Sequence, residues 1–310
     1  MHKHRRIFGP RHTLKALPRM ADMDSSSENA RKRYLITGGS GFIGTNLIAA
    51  MKAHDAELLN LDWNPPLNPA YTDIWKEVDL LDERGLRDAV AAFAPTHVVH
   101  LGARTDTEDI ELDAYRQNHE GTRNLLRCIA NCPSVERLIV TSTQFVCEAG
   151  YQPKHDQDYK PFTVYGESKR LTELATREAD PNCIWTIIRP TTIWGPWSLR
   201  YRDVMFKVMR KGLYFHPGHS RVIRSYGYVG NVAWQIMRML ELPKEQVHGK
   251  VLYVGDQPFD LKVWVEEVSM QLTGKRVRYI PNGLVRTLAL IGDALKAIKL
   301  PFPITSGRYR

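Results

Sequence analysis

Only four cysteines occur in 310 residues: Cys128, Cys132, Cys147 and Cys183. None forms a C-x-x-C, and no histidine stands beside them at ligand spacing. This argues against a disulfide framework or a metal site and leaves buried, reduced thiols. Long apolar runs are missing too. The best candidate, Leu284 to Leu300, is interrupted by Arg286, Asp293, Lys296 and Lys299. It reads as an amphipathic helix and not as a bilayer span. The amino terminus lacks the apolar stretch of a secretory signal. No internal repeat is present.

Acidic residues are scarce only at that terminus. The formal charge is +9, but Lys3, Arg5, Arg6, Arg11, Lys15 and Arg19 all precede the first acid, Asp22. Without those six the rest carries +3, and no basic stripe with interleaved aromatics is visible, so nucleic acid is not an expected partner. Residues 1–30 read as a basic, disordered tail, or as a start placed too early, with Met20 or Met23 the true one. Their arginine-rich composition also mimics a transit peptide. The remainder has ordinary globular composition, 43% hydrophobic and 25% charged, and is expected to work in the cytoplasm.

From residue 33 onward, apolar runs alternate with helical patterns. Strands are expected at Arg33–Thr37, Glu57–Leu61, His97–Leu101, Arg137–Thr141 and Ile184–Ile188. Helices are expected at Phe42–Lys52, Leu86–Phe93, Ala114–Ile129 and Val164–Glu178. This alternation implies an α/β fold, a doubly wound parallel sheet of the Rossmann kind, because right-handed crossovers put helices on both faces. After Pro190 the pattern loosens. Trp194-Gly195-Pro196-Trp197 marks a turn, Arg202–Lys211 and Leu261–Leu272 are helical, and Val251–Val254 is a late strand. The expected division is a dinucleotide-binding domain over 31–190, joined by 226–255, and a smaller C-terminal substrate-binding lobe from 191–225 and 256–310.

Two motifs carry chemistry. The first is Thr37-Gly38-Gly39-Ser40-Gly41-Phe42-Ile43-Gly44, between a strand and a helix. Gly38, Gly41 and Gly44 suit a sharp turn, close approach of backbone to phosphate, and tight helix–strand packing. Phe42 and Ile43 open a helix whose free N–H groups and positive dipole end favour a pyrophosphate. Asp62 ends the next strand, where a carboxylate accepts hydrogen bonds from the adenosine ribose and repels a 2′-phosphate. No arginine follows in Trp63-Asn64-Pro65-Pro66, so NAD is expected over NADP.

The second motif is Tyr165 and Lys169, one helical turn apart. A free phenol has a pKa of about 10, and bringing it near 7 requires about 4 kcal/mol of differential stabilisation. The Lys169 ammonium, with the positive nicotinamide ring, is expected to supply it. Tyr165 could then take a proton from a substrate hydroxyl as hydride leaves the same carbon. Ser142 and Thr143, at a strand end, are candidate hydroxyl partners of the same oxygen.

These residues in this order resemble the extended short-chain dehydrogenase/reductase family, the nucleotide-sugar epimerases and dehydratases, over roughly residues 33 to 255. Val78-Asp79-Leu80 resembles the segment whose aspartate contacts adenine. His100-Leu101-Gly102-Ala103 resembles the fourth-strand cofactor motif, with glycine where alanine is usual. Asn118-His119-Glu120-Gly121-Thr122 resembles the Asn-x-x-Gly-Thr helix. The resemblance gives Tyr165, Lys169 and Thr143 catalytic roles, with Ser142 and Pro190 beside the cofactor. It gives Thr192 a substrate contact and makes Arg224 the clamp of a substrate diphosphate. It departs from the dehydratases at Gln144 and Phe145, which replace their acidic residues and argue against elimination of water. It also departs at Thr192, where asparagine is frequent. The function it implies is NAD-dependent epimerisation of a nucleotide-activated sugar, by transient oxidation at a ring carbon, expected to be C4. A net dehydrogenase or reductase of a sugar or sterol-like alcohol is the alternative, and a non-catalytic dinucleotide sensor is disfavoured by the intact pair. A homodimer through the Ala114–Ile129 and Val164–Glu178 helices is further implied. Pro301–Arg310 offers no clear cap, which leaves open a continuation past Arg310.

Overall fold

A computed structural model describes residues 32–54, 56–107, 111–218 and 221–297. The basic tail over 1–30 and the segment Pro301–Arg310 lie outside them. Strand β1 (Arg33–Thr37) enters the glycine turn and α1 (Phe42–Lys52). There follow β2 (Glu57–Asp62), β3 (Trp75–Glu77), α2 (Glu83–Phe93), β4 (His97–His100), α3 (Arg116–Ala130), β5 (Arg137–Thr141), α4 (Val164–Ala179) and β6 (Ile184–Pro190). Beyond them come β7 (Thr192–Trp194), a π-helical turn at Tyr201–Phe206 running into α5 (Lys207–Arg210), β8 (Phe215–Pro217), β9 (Ile223–Arg224) and β10 (Tyr226–Tyr228). The described chain closes with α6 (Val229–Met239), α7 (Lys244–Val247), β11 (Lys250–Val254), β12 (Phe259–Asp260), α8 (Leu261–Thr273), β13 (Arg278–Ile280) and α9 (Asn282–Ala297).

Seven strands form one all-parallel sheet in the order β3-β2-β1-β4-β5-β6-β11. Its central strands are buried on both faces, and their alternation splits the core in two. Leu35, Val98, Leu138, Val140 and Ile187 face α2, α3 and α4. Ile36, Val99, Ile139 and Ile188 face α1 and α6. The chain order reverses direction between β1 and β4, the switch point at which open α/β sheets leave a crevice. A third apolar cluster, built on Tyr201, Met209, Trp264, Val265 and Val277, gathers the later segments.

Some expectations differ from what is observed. The three-residue β3 is too short to show a period. The expected Arg202–Lys211 helix is a π-helical turn followed by four α-helical residues. A single-turn widening is invisible to a 3.6-residue pattern. It carries Tyr201 inward to within 6.0 Å of the Trp264 ring and leaves Val204 61% exposed. On α3 the exposed positions are Arg116, Arg123, Arg127 and Ala130. Its apolar positions, expected to be open to a partner copy, are already packed against the sheet. Among the described residues, no helix is long and apolar enough to cross a membrane.

The sheet depends on Gly38. Its φ is +72°, and a Cβ there would lie 2.5 Å from the Gly102 nitrogen. Gly38→Ala is expected to destabilise the protein by about 2–4 kcal/mol, combining unfavourable φ with backbone overlap. Denaturant unfolding checks this, and a loss under about 1 kcal/mol would contradict the close β1–β4 approach.

Candidate active site

The glycine turn brings three loops together. Gly38 N–H donates to the Leu61 carbonyl at 3.0 Å, and Leu101 N–H donates to the Thr37 carbonyl at 2.9 Å. The chain segments leaving β1, β2 and β4 therefore meet at one edge. His100, 1% exposed, ties them to α3 through Thr37 Oγ1 at 2.6 Å and Thr122 Oγ1 at 2.9 Å. Burial pushes this imidazole down to about 3, so it stays neutral. A Cβ at Gly102 would come within 2.8 Å of Leu80 Cδ1, the movable end of a side chain.

The edge opens into a cleft of about 1170 Å³. Gly38, Gly41, Phe42, Ile43, Gly44, Asp62, Asp79, Leu80, Leu101, Gly102 and Ala103 all line one half of it. Helix α1 starts there at Gly41 with no side-chain cap, so its first N–H groups are left for a ligand. Gly44 lets the helix sit down on the turn, where a Cβ would be 2.5 Å from the Gly38 carbonyl oxygen. Asp62 accepts from Ser40 N–H at 3.1 Å and Asn64 N–H at 3.0 Å. Burial raises its carboxyl pKa against those hydrogen bonds. An uncapped helix start, a cradle that needs glycine and a carboxylate at the β2 end together fit a dinucleotide.

The other half holds the acid–base candidates. Thr163 caps α4 by accepting from Gly166 N–H at 2.9 Å, which sets Tyr165 and Lys169 on the turns facing the cleft. Tyr165 lies between the rings of Tyr115 (6.2 Å) and Phe145 (6.3 Å), with the Thr143 side chain beside it. Thr143 is thus the hydroxyl that meets the phenol. Ser142, though it also lines the cleft, donates to Glu173 Oε1 at 2.5 Å. Pro190 and Thr192 line the wall opposite, and Gln144 Nε2 donates to Thr192 Oγ1 at 3.3 Å.

The electrostatics correct one expectation. In the protein alone the phenol is not lowered by its lysine. Burial pushes Tyr165 up to about 12, against the Thr143 hydrogen bond. Burial likewise pushes the Lys169 ammonium down to about 8, with Glu173 pulling the other way. Both groups share a floor that penalises charge, and desolvation is the largest influence on each.

Two expected site residues are not brought to the cleft. The Asn118 amide lies behind its wall, committed to Arg104 N–H (2.7 Å), the Arg104 carbonyl (3.0 Å) and Ser168 Oγ (2.9 Å). It clamps the loop after β4 between α3 and α4. Arg224 is exposed on the short strand β9, opposite Phe259. Conversely, Arg104, Trp197, Leu199, Arg200, Val204 and Met205 line the cleft without having been anticipated. Only the turn ending at Trp197 was visible in sequence, and its φ of +69° was not.

Such a cleft, with a glycine cradle on one side and an enclosed tyrosine–lysine pair on the other, defines a nicotinamide-dependent enzyme of the Rossmann class. Residues 34–255 match the model of the NAD dependent epimerase/dehydratase family. The chain belongs to that family and is an NAD-dependent enzyme of the extended short-chain dehydrogenase/reductase type. An N-acetyl-alpha-D-glucosaminyl-diphospho-ditrans,octacis-undecaprenol 4-epimerase of Escherichia coli O157:H7 is 31% identical over 78% of this chain and 72% of its own length. A decarboxylating sterol-4-alpha-carboxylate 3-dehydrogenase of Homo sapiens is 25% identical over 84% and 72%. A UDP-glucose 4-epimerase of Thermus thermophilus, solved with NAD, shares the fold with a TM-score of 0.63. It is 24% identical, covering 80% of this chain and 86% of that one.

Lys169 should carry a stability penalty. Its folded pKa of about 8 lies below the unfolded value of about 10.4, so the penalty is complete below pH 8 and fades as pH rises toward 10.4. Lys169→Met is expected to stabilise the protein by up to about 3 kcal/mol at pH 7. The gain should shrink through that alkaline window. A gain that does not depend on pH, followed by denaturant unfolding, would contradict the buried ammonium.

Proposed function

We propose that this protein is an NAD-dependent epimerase of a nucleotide-activated sugar, acting at C4 of the ring. One observation carries the proposal: Thr143 stands beside Tyr165 in the cleft, and the residues after Thr143 are the neutral Gln144 and Phe145. That arrangement supports reversible proton transfer at a single oxygen, and the two described residues after Thr143 offer no second acid or base for eliminating water. The 4-epimerase relative, at 31% identity, supports the same reading.

When bound, NAD supplies a hydride acceptor and donor. Gly38, Gly41, Asp62 and Asp79 would hold its adenosine and pyrophosphate half. Tyr165 takes the proton from the ring hydroxyl and later returns it to the oxygen of the keto sugar. Thr143 orients that oxygen and donates to the phenolate. Lys169 holds positive charge one turn below. The segment Ile193–Met205 would hold the sugar and its diphosphate, with Arg200 of that segment, and not Arg224, in the lining. These assignments put residues 191–205 on the substrate side, with Tyr226 of the returning segment also in the wall, while no described residue of 256–297 lines the cleft. We further propose a homodimer in which α4 supplies the apolar contact through the half-buried Leu171 and Leu174, beside the polar outer face of α3.

A second reading is favoured by the rim, where Trp197, Leu199 and Val204 are 41%, 46% and 61% exposed while lining the cleft. An apolar rim suits net oxidation of a sterol-like alcohol, the kind of substrate named for the human relative. Stoichiometry separates the two. An epimerase turns over with trace NAD, whereas a dehydrogenase forms NADH in proportion to product. The assay sets UDP-sugars beside an undecaprenyl-diphosphate sugar, the carrier named for the bacterial relative.

Tyr165→Phe is expected to lower kcat by about 10³-fold while leaving NAD affinity nearly unchanged, measured by turnover and calorimetry. A substrate deuterated at the reacting carbon should return its label to product. Persistent turnover in the variant, or solvent hydrogen at that carbon, would overturn the mechanism.

A further inference from the structure

Behind the acid–base pair lies a buried charge cluster that the mechanism above does not use. Glu173 and Arg189 are 0% and 1% exposed. Arg189 donates to Glu173 through Nε and Nη2, each at 2.8 Å. Ser142 Oγ (2.5 Å) and Tyr159 OH (3.0 Å) donate to the same carboxylate. Arg189 Nη2 also reaches the Asp156 carbonyl at 2.5 Å, and its guanidinium lies 5.5 Å from the Tyr159 ring and 5.6 Å from the Tyr253 ring. One carboxylate thus gathers the end of β5, the loop before α4, strand β6 and α4 itself.

Two connections run from this cluster to the cleft. Glu173 follows Lys169 by one turn on α4, the spacing at which side chains are neighbours. Ser142 immediately precedes Thr143, which meets the phenol. We propose that Glu173 is a positioning residue for the acid–base pair: its carboxylate keeps the Lys169 ammonium charged and pins the β5 end so that Thr143 faces Tyr165. It touches neither substrate nor dinucleotide in this assignment. A buried pair is weak evidence for stability, since apolar replacements are often neutral, so a structural role alone does not account for a cluster placed behind the lysine.

The groups facing Lys169 and Glu173 define the expected response. Arg189 projects from β6, Tyr159 from the loop before α4, Tyr253 from β11 and His100 from β4, with Tyr165 and Arg177 on α4. His100 is neutral, and Arg177 is paired with Asp156 at 2.6 Å. Glu173 is therefore the anion acting on Lys169, and its loss lets the lysine surrender its proton at lower pH. The phenol then loses its cationic neighbour and ionises at higher pH.

The inference rests on Tyr165 and Lys169 being the pair proposed above, so its test must not depend on the substrate. The ultraviolet absorbance of tyrosinate is titrated in the NAD-bound enzyme, and the Tyr165→Phe titration is subtracted to isolate that phenol. Glu173→Gln is expected to move the Tyr165 titration upward by about one pH unit or more. NAD affinity should stay within about threefold, and Glu173→Asp should restore most of the wild-type curve. Where turnover is measurable, the high-pH limb of the rate moves down in parallel. If Glu173→Gln does not fold, Glu173→Gln/Arg189→Met removes both charges and should show a smaller shift of the same sign. An unchanged Tyr165 titration in a folded variant would overturn the assignment, as would failure of both variants to fold, which would make Glu173 a folding anchor. Turnover missing in the wild type alongside the expected titration shift would count against the substrate and not against Glu173.

Discussion

A phenol and an ammonium buried one turn apart compete for the same scarce solvation. In this floor the phenol is driven up to about 12 and the ammonium down to about 8. The remaining features of the site bear on that competition. Thr143 gives the phenolate a donor, Glu173 gives the ammonium a counter-charge, and Tyr115 and Phe145 keep water from the ring. A site so dry makes each added charge count for more than it would in water. A cation arriving beside the phenol therefore has large leverage over its proton.

The cleft exists because backbone can approach backbone at the sheet's switch point. Gly38 meets the Gly102 backbone where a Cβ on Gly38 would collide, and His100 holds the two strand ends against α3. That contact shapes the dinucleotide cradle and also carries the β4 loop toward α4. Packing on both faces of the sheet then fixes α1, which presents its uncapped start, relative to α4, which presents the acid–base pair. The two sides of the cleft are thus held in register by the packed sheet.

Much of this was legible in the sequence, and the reasons are local. The strands and helices up to β6 follow from hydrophobic periodicity, and the glycine turn and the tyrosine–lysine pair follow from spacing along one element. What was missed depends on contacts across the fold. Glu173 and Arg189 lie on different elements, and no periodicity pairs them. Asn118 matched a motif, but its amide is spent on Arg104 and Ser168, partners on other elements. Arg224 matched by position, but a two-residue strand paired with Phe259 leaves it on the surface. Trp197 and the π-helical turn after it break the regular patterns from which a reading begins. The family match gives the coarse identity, and this irregular segment supplies cleft residues that no regular pattern announces.

The central claim is that a cationic dinucleotide releases the proton of a deeply buried phenol. The most direct measurement is the tyrosinate titration of Tyr165, isolated by subtracting Tyr165→Phe, without and with saturating NAD⁺. The apparent pKa is expected to fall from about 12 toward neutrality when NAD⁺ binds, and to stay high with NADH. A phenol that titrates near its unliganded value with NAD⁺ bound would contradict it.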